Sequence, residues 1–522
     1  METSTPRTDQ ETSELMSDTT GSDPGAASPV NPGDTSFFGH PRGLATLFFT
    51  EMWERFSFYG GRGILILFMT AAVATGGLGM SAATSAAIYG IFTASVYLFA
   101  LPGGWVADRL MGQRGSVFWG GVLIAAGNLS IAAHGTGGMP AFYGGLILIV
   151  LGTGLLKPNV SAIVGELYPE GGARRDAGFS IFYMGINIGA FVAPLICGSL
   201  GEKIDWHLGF AAAGVGMVLG LIQYRLGWSY LGDAGKIREA ARATKPAAVR
   251  QLMLGVALVA VIAIVLYFLG SNGTINITLE GAAQATGVII LAIAVLFFGS
   301  VLSFGGLDSV EKKRVVVIFI LFLGASIFWA GFEQAASSLN LFAQRLTDRN
   351  VLGWEAPASW LQSINPLFII TLAPVFAWLW VWLDRRKKEP SLPMKFGFGL
   401  VLLGVGFLVI AWGATYTVEG QLVSPGWLVS TYFLHTCGEL CLSPVGLSSI
   451  TKLSPPKFVG QMMGTWFMGA ALGNLIAGLV AGQFETLPLP QLFLTVSISV
   501  GVVGVLFFLF ARPIKEMMGG VH

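Results

Sequence analysis

The chain has 522 residues, of which 53% are hydrophobic and only 11% charged, with a formal net charge of +1. A soluble domain carries about 25% charged residues. No soluble core of this length hides so much apolar surface, so the bilayer is its solvent. The balanced charge argues against nucleic acid or an acidic substrate as partner, and Cys197, Cys437 and Cys441 all lie in apolar stretches, where they define no disulfide framework.

Residues 1–40 are rich in Ser, Thr, Asp, Gly and Pro and contain no apolar run. They are expected to form a disordered cytoplasmic tail with no signal peptide. Beyond it, fourteen apolar segments centre near residues 58, 95, 124, 152, 189, 218, 260, 295, 325, 370, 404, 437, 470 and 501. Each can supply the roughly 20 residues that a spanning helix needs. Alternating the loops between the two sides puts 24 of the 30 Lys and Arg on one side, with only Lys203, Arg345 and Arg349 opposite. By the positive-inside rule both termini are cytoplasmic.

The first segment carries Glu51-Met52-Trp53-Glu54-Arg55-Phe56-Ser57-Phe58-Tyr59-Gly60-Gly61-Arg62. At about 100° per residue, Glu51, Glu54, Arg55, Tyr59 and Arg62 fall within an arc of roughly 140°. Charges at membrane depth are expensive and face a cavity, a partner or a pathway. The stripe therefore predicts a polar cavity. An internal salt-bridge network for folding is the other explanation, and both can hold for Arg55.

The second segment runs into Gly103-Gly104-Trp105-Val106-Ala107-Asp108-Arg109-Leu110-Met111-Gly112-Gln113-Arg114. This loop resembles the signature between the second and third helices of the major facilitator superfamily. Asp108 and Arg109 are accordingly candidate gating residues that latch the cytoplasmic side and release it on inward opening. A loop charge that only fixes topology is the alternative. The fourth segment supplies Lys157, with Pro158 breaking the helical ladder beside it. An acidic partner on the first helix would keep this lysine charged. Protonating that acid would then free the lysine for a substrate carboxylate.

Two halves echo each other. Ala107-Asp108-Arg109 ends the second segment and Leu383-Asp384-Arg385 the tenth. Phe182-Tyr183-Met184-Gly185 precedes Gly189, as Trp466-Phe467-Met468-Gly469 precedes Gly473. The offsets of 276 and 284 residues suggest two six-helix halves joined by an insertion, although 71 glycines leave room for chance echoes. The insertion is the pair of segments near 260 and 295, preceded by a basic linker with Lys236, Arg238, Arg242, Lys245 and Arg250. The expected organisation is a tail (1–40), an N-terminal bundle (41–230), a linker with an inserted hairpin (231–310) and a C-terminal bundle (311–522). Repeated halves around a midplane cavity are usual in secondary transporters. The second half adds Glu333 and Glu439, so bases dominate one half and acids the other. A zwitterion the size of an amino acid or short peptide would fit between them.

From about residue 38 the chain resembles the proton-dependent oligopeptide transporter family. The first-helix stretch is similar to its E-x-x-E-R-F-x-Y-Y-G signature, Phe179 to Ala190 to its fifth-helix signature, and Phe328 to Gln334 to its F-W-x-x-F-E-Q element. The resemblance implies an all-α major facilitator fold of fourteen transmembrane helices, two six-helix bundles plus a two-helix central insertion. It also implies proton-coupled uptake of di- and tripeptides by alternating access. By the same resemblance Arg62, Tyr97 and Lys157 receive the peptide's carboxyl end, and Asn187, Asn365 and Glu439 its amino end. Tyr59, Trp329, Ser443 and Trp466 line side-chain pockets, while Glu51, Glu54, Arg55, Lys157 and Glu333 handle the proton. Two positions depart from the pattern. Phe58 replaces the first signature Tyr, and Gly90 follows Tyr89 where animal members carry a histidine, so coupling must rest on carboxylates. The loop near residues 416–424 is short where animal members carry a large extracellular domain.

No H-E-x-x-H or G-x-S-x-G motif is present, so no enzyme is expected; without a G-x-x-x-x-G-K-[ST] loop, ATP is not the direct energy source. Cys437 and Cys441 share a helix face, but His435 is offset and a fourth ligand is lacking, so no metal or cofactor is expected beyond protons as the coupling ion. A channel is a further rival, disfavoured by the repeated halves and scattered charges. Within transporters the alternatives are nitrate or another small solute, or amino-acid-like zwitterions. The expected setting is lipid of the bacterial inner membrane, with a functional monomer.

Overall fold

The computed structural model describes residues 34–237, 239–276, 278–417 and 420–520. Residues 1–33 of the expected tail, and Arg238, lie outside them. Residues 34–41 differ from a loose tail. The Asp34 carboxylate accepts from Arg42 N at 2.8 Å, Phe37 and His40 form a bridge, and His40 Nδ1 lies 2.8 Å from Tyr168 Oη. Arg174 Nη2 donates to Asp34 O at 2.7 Å. The segment is therefore strapped to the connection after the fourth helix, and order begins several residues earlier than composition suggests.

Fourteen long helices follow among the described residues. The first six are α1 (Arg42–Thr70), α2 (Ala82–Leu98), α3 (Gly112–Ala132), α4 (His134–Glu166), α5 (Gly172–Lys203) and α6 (Trp206–Leu226). Two inserted helices follow, α7 (Glu239–Ser271) and α8 (Leu279–Phe304). The last six are α9 (Ser309–Phe332), α10 (Ile364–Arg385), α11 (Leu392–Thr415), α12 (Gly426–Leu453), α13 (Val459–Ala481) and α14 (Leu489–Leu509). They form two six-helix bundles with the inserted pair on the outside. Most helical runs are apolar enough to cross a membrane, but α1 is not, because Glu51, Glu54, Arg55 and Arg62 interrupt it. Its charges are buried inside the bundle instead.

The glycine echo has a packing cause. A Cβ on Gly189 would lie 2.2 Å from Met52 O on α1, and one on Gly473 2.6 Å from Ser326 O on α9. In each half the same small-residue face thus lets one helix meet the first helix of its bundle backbone to backbone. The departure at Gly90 is also a contact: α2 crosses α13 there, where a Cβ would be 3.1 Å from Gly478 Cα. A histidine at that position has no room in this arrangement.

α7 begins inside the basic linker, so Lys245 and Arg250 ride on its first turns. From residue 250 to residue 268 its side chains face outward, and its main contact with the bundles is with the turn Ala107–Met111. α8 lies against α2 and α13 through the stripe Ala283, Ile290, Ala294, Phe298 and Val301. Such a stripe, with apolar residues all round, is what a peripheral lipid-facing helix needs.

α9 does not run straight to its expected end. It breaks into the turn Glu333–Ala336 and resumes as a short helix, Ser338–Leu346. Gln334 Nε2 donates to Ala330 O at 3.1 Å, and Ser338 Oγ to Gln334 Oε1 at 2.8 Å, so side chains support the broken ladder. The break carries neither Gly nor Pro, the usual marks of an interruption.

Candidate functional site

α1 gathers the predicted charges into one buried cluster. Arg55 Nε lies 2.9 Å from Glu51 Oε1 and 2.6 Å from Glu54 Oε2. All three side chains are buried, and charges at this depth are tolerated when paired. Lys157 on α4 does not join them. Its ammonium sits 4.2 Å from the centre of the Tyr97 ring, a cation–π contact. The expected acidic partner on α1 is thus taken by Arg55, and among the described residues Lys157 forms no ion pair.

Arg62, about two turns further along α1, reaches the other bundle and pairs with Glu333 at the break after α9. The rings of Phe58, Tyr59 and Tyr89 flank its guanidinium. Across the site Asn365 Nδ2 donates to Thr436 Oγ1 at 2.9 Å and to Glu439 Oε2 at 3.2 Å. Asn187 turns away from that pair and donates to Tyr183 O at 2.9 Å. Tyr59 stands between the two polarities, with Arg62, Arg55, Glu333 and Glu439 all acting on its phenol.

A cavity of about 1080 Å³ opens from here between α5 on one side and α10 and α12 on the other. Its walls include Tyr183, Asn187, Pro374, Ser443, Ser448 and Thr451. Among these Asn187 and Ser443 are predicted residues; Tyr183 stands in the repeated motif but carries no predicted role. Trp329 packs edge-on to Phe328 and Phe332, and its Nε1 has no protein partner among the described residues. Trp466 is buried against Gly446 of α12.

The opposite end is sealed by hydrogen bonds between the bundles. Asn340 Nδ2 and Gln362 Nε2 donate to Gly63 O at 2.9 and 3.0 Å. Ser363 Oγ donates to Phe191 O at 2.7 Å, and Trp360 Nε1 to Ser199 Oγ at 3.0 Å. The Glu202 carboxylate, near the end of α5, accepts from Ala358 N at 2.7 Å, Ser359 N at 2.9 Å and Ser359 Oγ at 2.5 Å. None of these residues stood out in the sequence. Asp108 and Arg109, the candidate latch, are exposed at the open end and form no ion pair among the described residues. Arg114 is the residue that ties their loop, donating to Gly232 O and Ala234 O within its own half.

One cavity, open at one end and sealed at the other between two bundles, is the geometry of alternating access. A family profile described as the POT family matches residues 115–492. The peptide transporter YePEPT of Yersinia enterocolitica is 44% identical over 502 residues, covering 94% of this chain and 98% of its own. The chain belongs to the POT family. A di-/tripeptide transporter of Lactococcus lactis subsp. cremoris is 35% identical, over 94% of this chain and 99% of its own. A crystal structure of a peptide transporter POT in complex with sulfate superposes with a TM-score of 0.85 at 42% identity, covering 95% of this chain and 98% of that one. This POT-family chain is therefore a multi-pass membrane transporter.

The sealed end of the transporter leads to a prediction. Glu202→Ala removes three hydrogen bonds to a carboxylate, and bonds to charged groups contribute about 1.5–3 kcal/mol each when buried. Because Glu202 is only partly buried, about 2 kcal/mol in total is the expected loss. Spin labels at the exposed positions Ile204 and Leu352, in a background without native cysteines, should show a new, longer distance population. An unchanged distance distribution would remove Glu202 from the seal.

Proposed function

We propose that the transporter imports di- and tripeptides together with protons across the bacterial inner membrane. The observation that carries this is the polarity around Tyr59. Arg62, Lys157 and Tyr97 stand on one side, and the hydrogen-bonded pair Asn365–Glu439 on the other. A peptide's carboxylate meets the first group and its ammonium the second. Asn187, Tyr59, Trp329, Ser443 and Trp466 stand around the space left for its body. The names of the Yersinia and Lactococcus relatives point to the same substrate class. Nitrate fits less well, because Glu439 opposes an anion.

Lys203, Arg345 and Arg349 lie at the sealed end, with most other basic residues opposite. By the positive-inside rule the open end is cytoplasmic, as are both termini. The two bundles rock about the site, with boundaries near residues 41–230 and 311–522. Protons act through Glu51, Glu54 and Arg55 with Lys157 and Glu333. Neutralising one of the acids held by Arg55 leaves positive charge in excess, which a peptide carboxylate then balances. Asp108 and Arg109 latch the cytoplasmic side only when it closes. No catalytic step and no cofactor enter this cycle, and the chain acts as a monomer.

The substrate reading is tested by binding. Dialanine should raise the unfolding temperature of the purified transporter, and free alanine should not. Glu439→Gln should weaken dialanine binding by roughly one to two orders of magnitude, the worth of one charge-assisted hydrogen bond. An N-acetylated dipeptide, which lacks the ammonium, should bind both forms alike. Equal dialanine affinity in the variant would reject Glu439 as the amino-end contact.

A further inference from the structure

Two cavities at the open end sit at repeat-related places, beside Asp108-Arg109 and beside Asp384-Arg385. The first, of about 600 Å³, is lined by Asp108, Arg109, Glu166 and Lys236, so its charges balance. The second, of about 720 Å³, lies between the α10–α11 loop, the end of α12 and the C-terminal helix Ala511–Met517. Its walls carry Lys387, Lys395, Lys452 and Lys515 against Asp384 and Glu389.

Lys395 is only 8% exposed, is ion-paired with Glu389 and sits 4.9 Å from the centre of the Trp380 ring. With that pair cancelled, three ammonium groups face one carboxylate, and the hydroxyls of Ser391, Ser448 and Ser449 stand among them. Lys387 has φ 55°, a left-handed position that glycine usually fills after a helix. The cavity wall thus keeps a lysine where the backbone favours another residue. The lysines of this cavity have no part in the transport path, yet Ser448 lines both cavities. An occupant here touches the end of α12 from behind the path.

We propose that this pocket binds a phosphate group, carried by an anionic phospholipid headgroup or by a soluble phosphorylated compound. Clustered ammonium groups at the cytoplasmic surface attract such groups, and the three hydroxyls donate to phosphate oxygens. The occupant braces the end of α12 against the α10–α11 loop and so sets how readily the cytoplasmic side closes.

The test uses the full-length transporter in phosphatidylcholine nanodiscs, with phosphatidylglycerol added in one arm and inorganic phosphate in the other. Retained lipid is counted by native mass spectrometry, and phosphate binding by calorimetry. The expected result is selective retention of phosphatidylglycerol or saturable phosphate binding, weakened roughly tenfold in Lys452→Ala/Lys515→Ala. Phosphate that displaces the lipid identifies a soluble occupant; lipid that resists it identifies the headgroup. Thermal unfolding shows whether the double variant is folded, and Lys515→Ala alone replaces it if it is not. Retention equal in wild type and variant, or binding of neither probe, overturns the proposal. These readouts involve no transport, so their failure is separable from failure of the peptide reading.

Discussion

Lys157→Ala is expected to abolish gradient-driven accumulation of dipeptide while leaving exchange of labelled for unlabelled peptide measurable. The ammonium forms no ion pair among the described residues, so its removal leaves the Glu51–Arg55–Glu54 cluster intact and the fold with it. What is lost is the one movable cation on which Arg55, Glu54, Glu51 and Glu333 all act. Without it the acids have no cation to release when a proton arrives. Peptide affinity should also fall roughly ten- to a hundredfold, as one charged contact to the carboxylate disappears. Lys157→Arg keeps the charge but spreads it over a planar fork, so partial coupling is expected. Accumulation by Lys157→Ala at the wild-type rate would remove this lysine from coupling altogether.

Glu333→Gln should be nearly as damaging, for a different reason. Arg62 and Glu333 are both buried and belong to different bundles, so their pairing exists only while the outer end is sealed. Leaving a buried charge uncompensated costs about 3–5 kcal/mol. That is roughly two to three orders of magnitude in the balance between the two faces. The neutral bonds to Gly63 O are worth about 1 kcal/mol each and cannot hold the seal alone. Uptake should collapse, and the Ile204–Leu352 label pair should report an opened outer end. Arg62→Gln/Glu333→Gln, which removes both charges, should restore part of the closure. A single variant that stays sealed would show that the pair is not what closes this side.

The fold was largely legible because lipid imposes a simple code. Apolar runs of fixed length gave the fourteen helices, and the glycine echo marked the faces where α5 meets α1 and α13 meets α9. The stripe on α1 was legible for the same reason, since charges at depth need a use. Partner choice was not. Lys157, Arg55 and Arg62 all sit within reach of several acids, and which pairs form depends on how two bundles some 270 residues apart in sequence dock. The seal was invisible for a related reason. Glu202 stands beside Lys203 at a helix end, where a loop charge is unremarkable, and its partners are mostly backbone amides, which every residue but proline carries. The break at Glu333 lacks the residues that usually mark one, because Gln334 and Ser338 support it with side chains.

The most direct measurement is uptake of radiolabelled dialanine into liposomes containing the purified transporter, with and without an inward proton gradient. The account predicts accumulation above the external concentration only when the gradient is imposed, competed by tripeptides and not by free amino acids. Uptake that reaches the same level without a gradient would contradict the proton coupling, and no uptake by folded protein would contradict the peptide substrate.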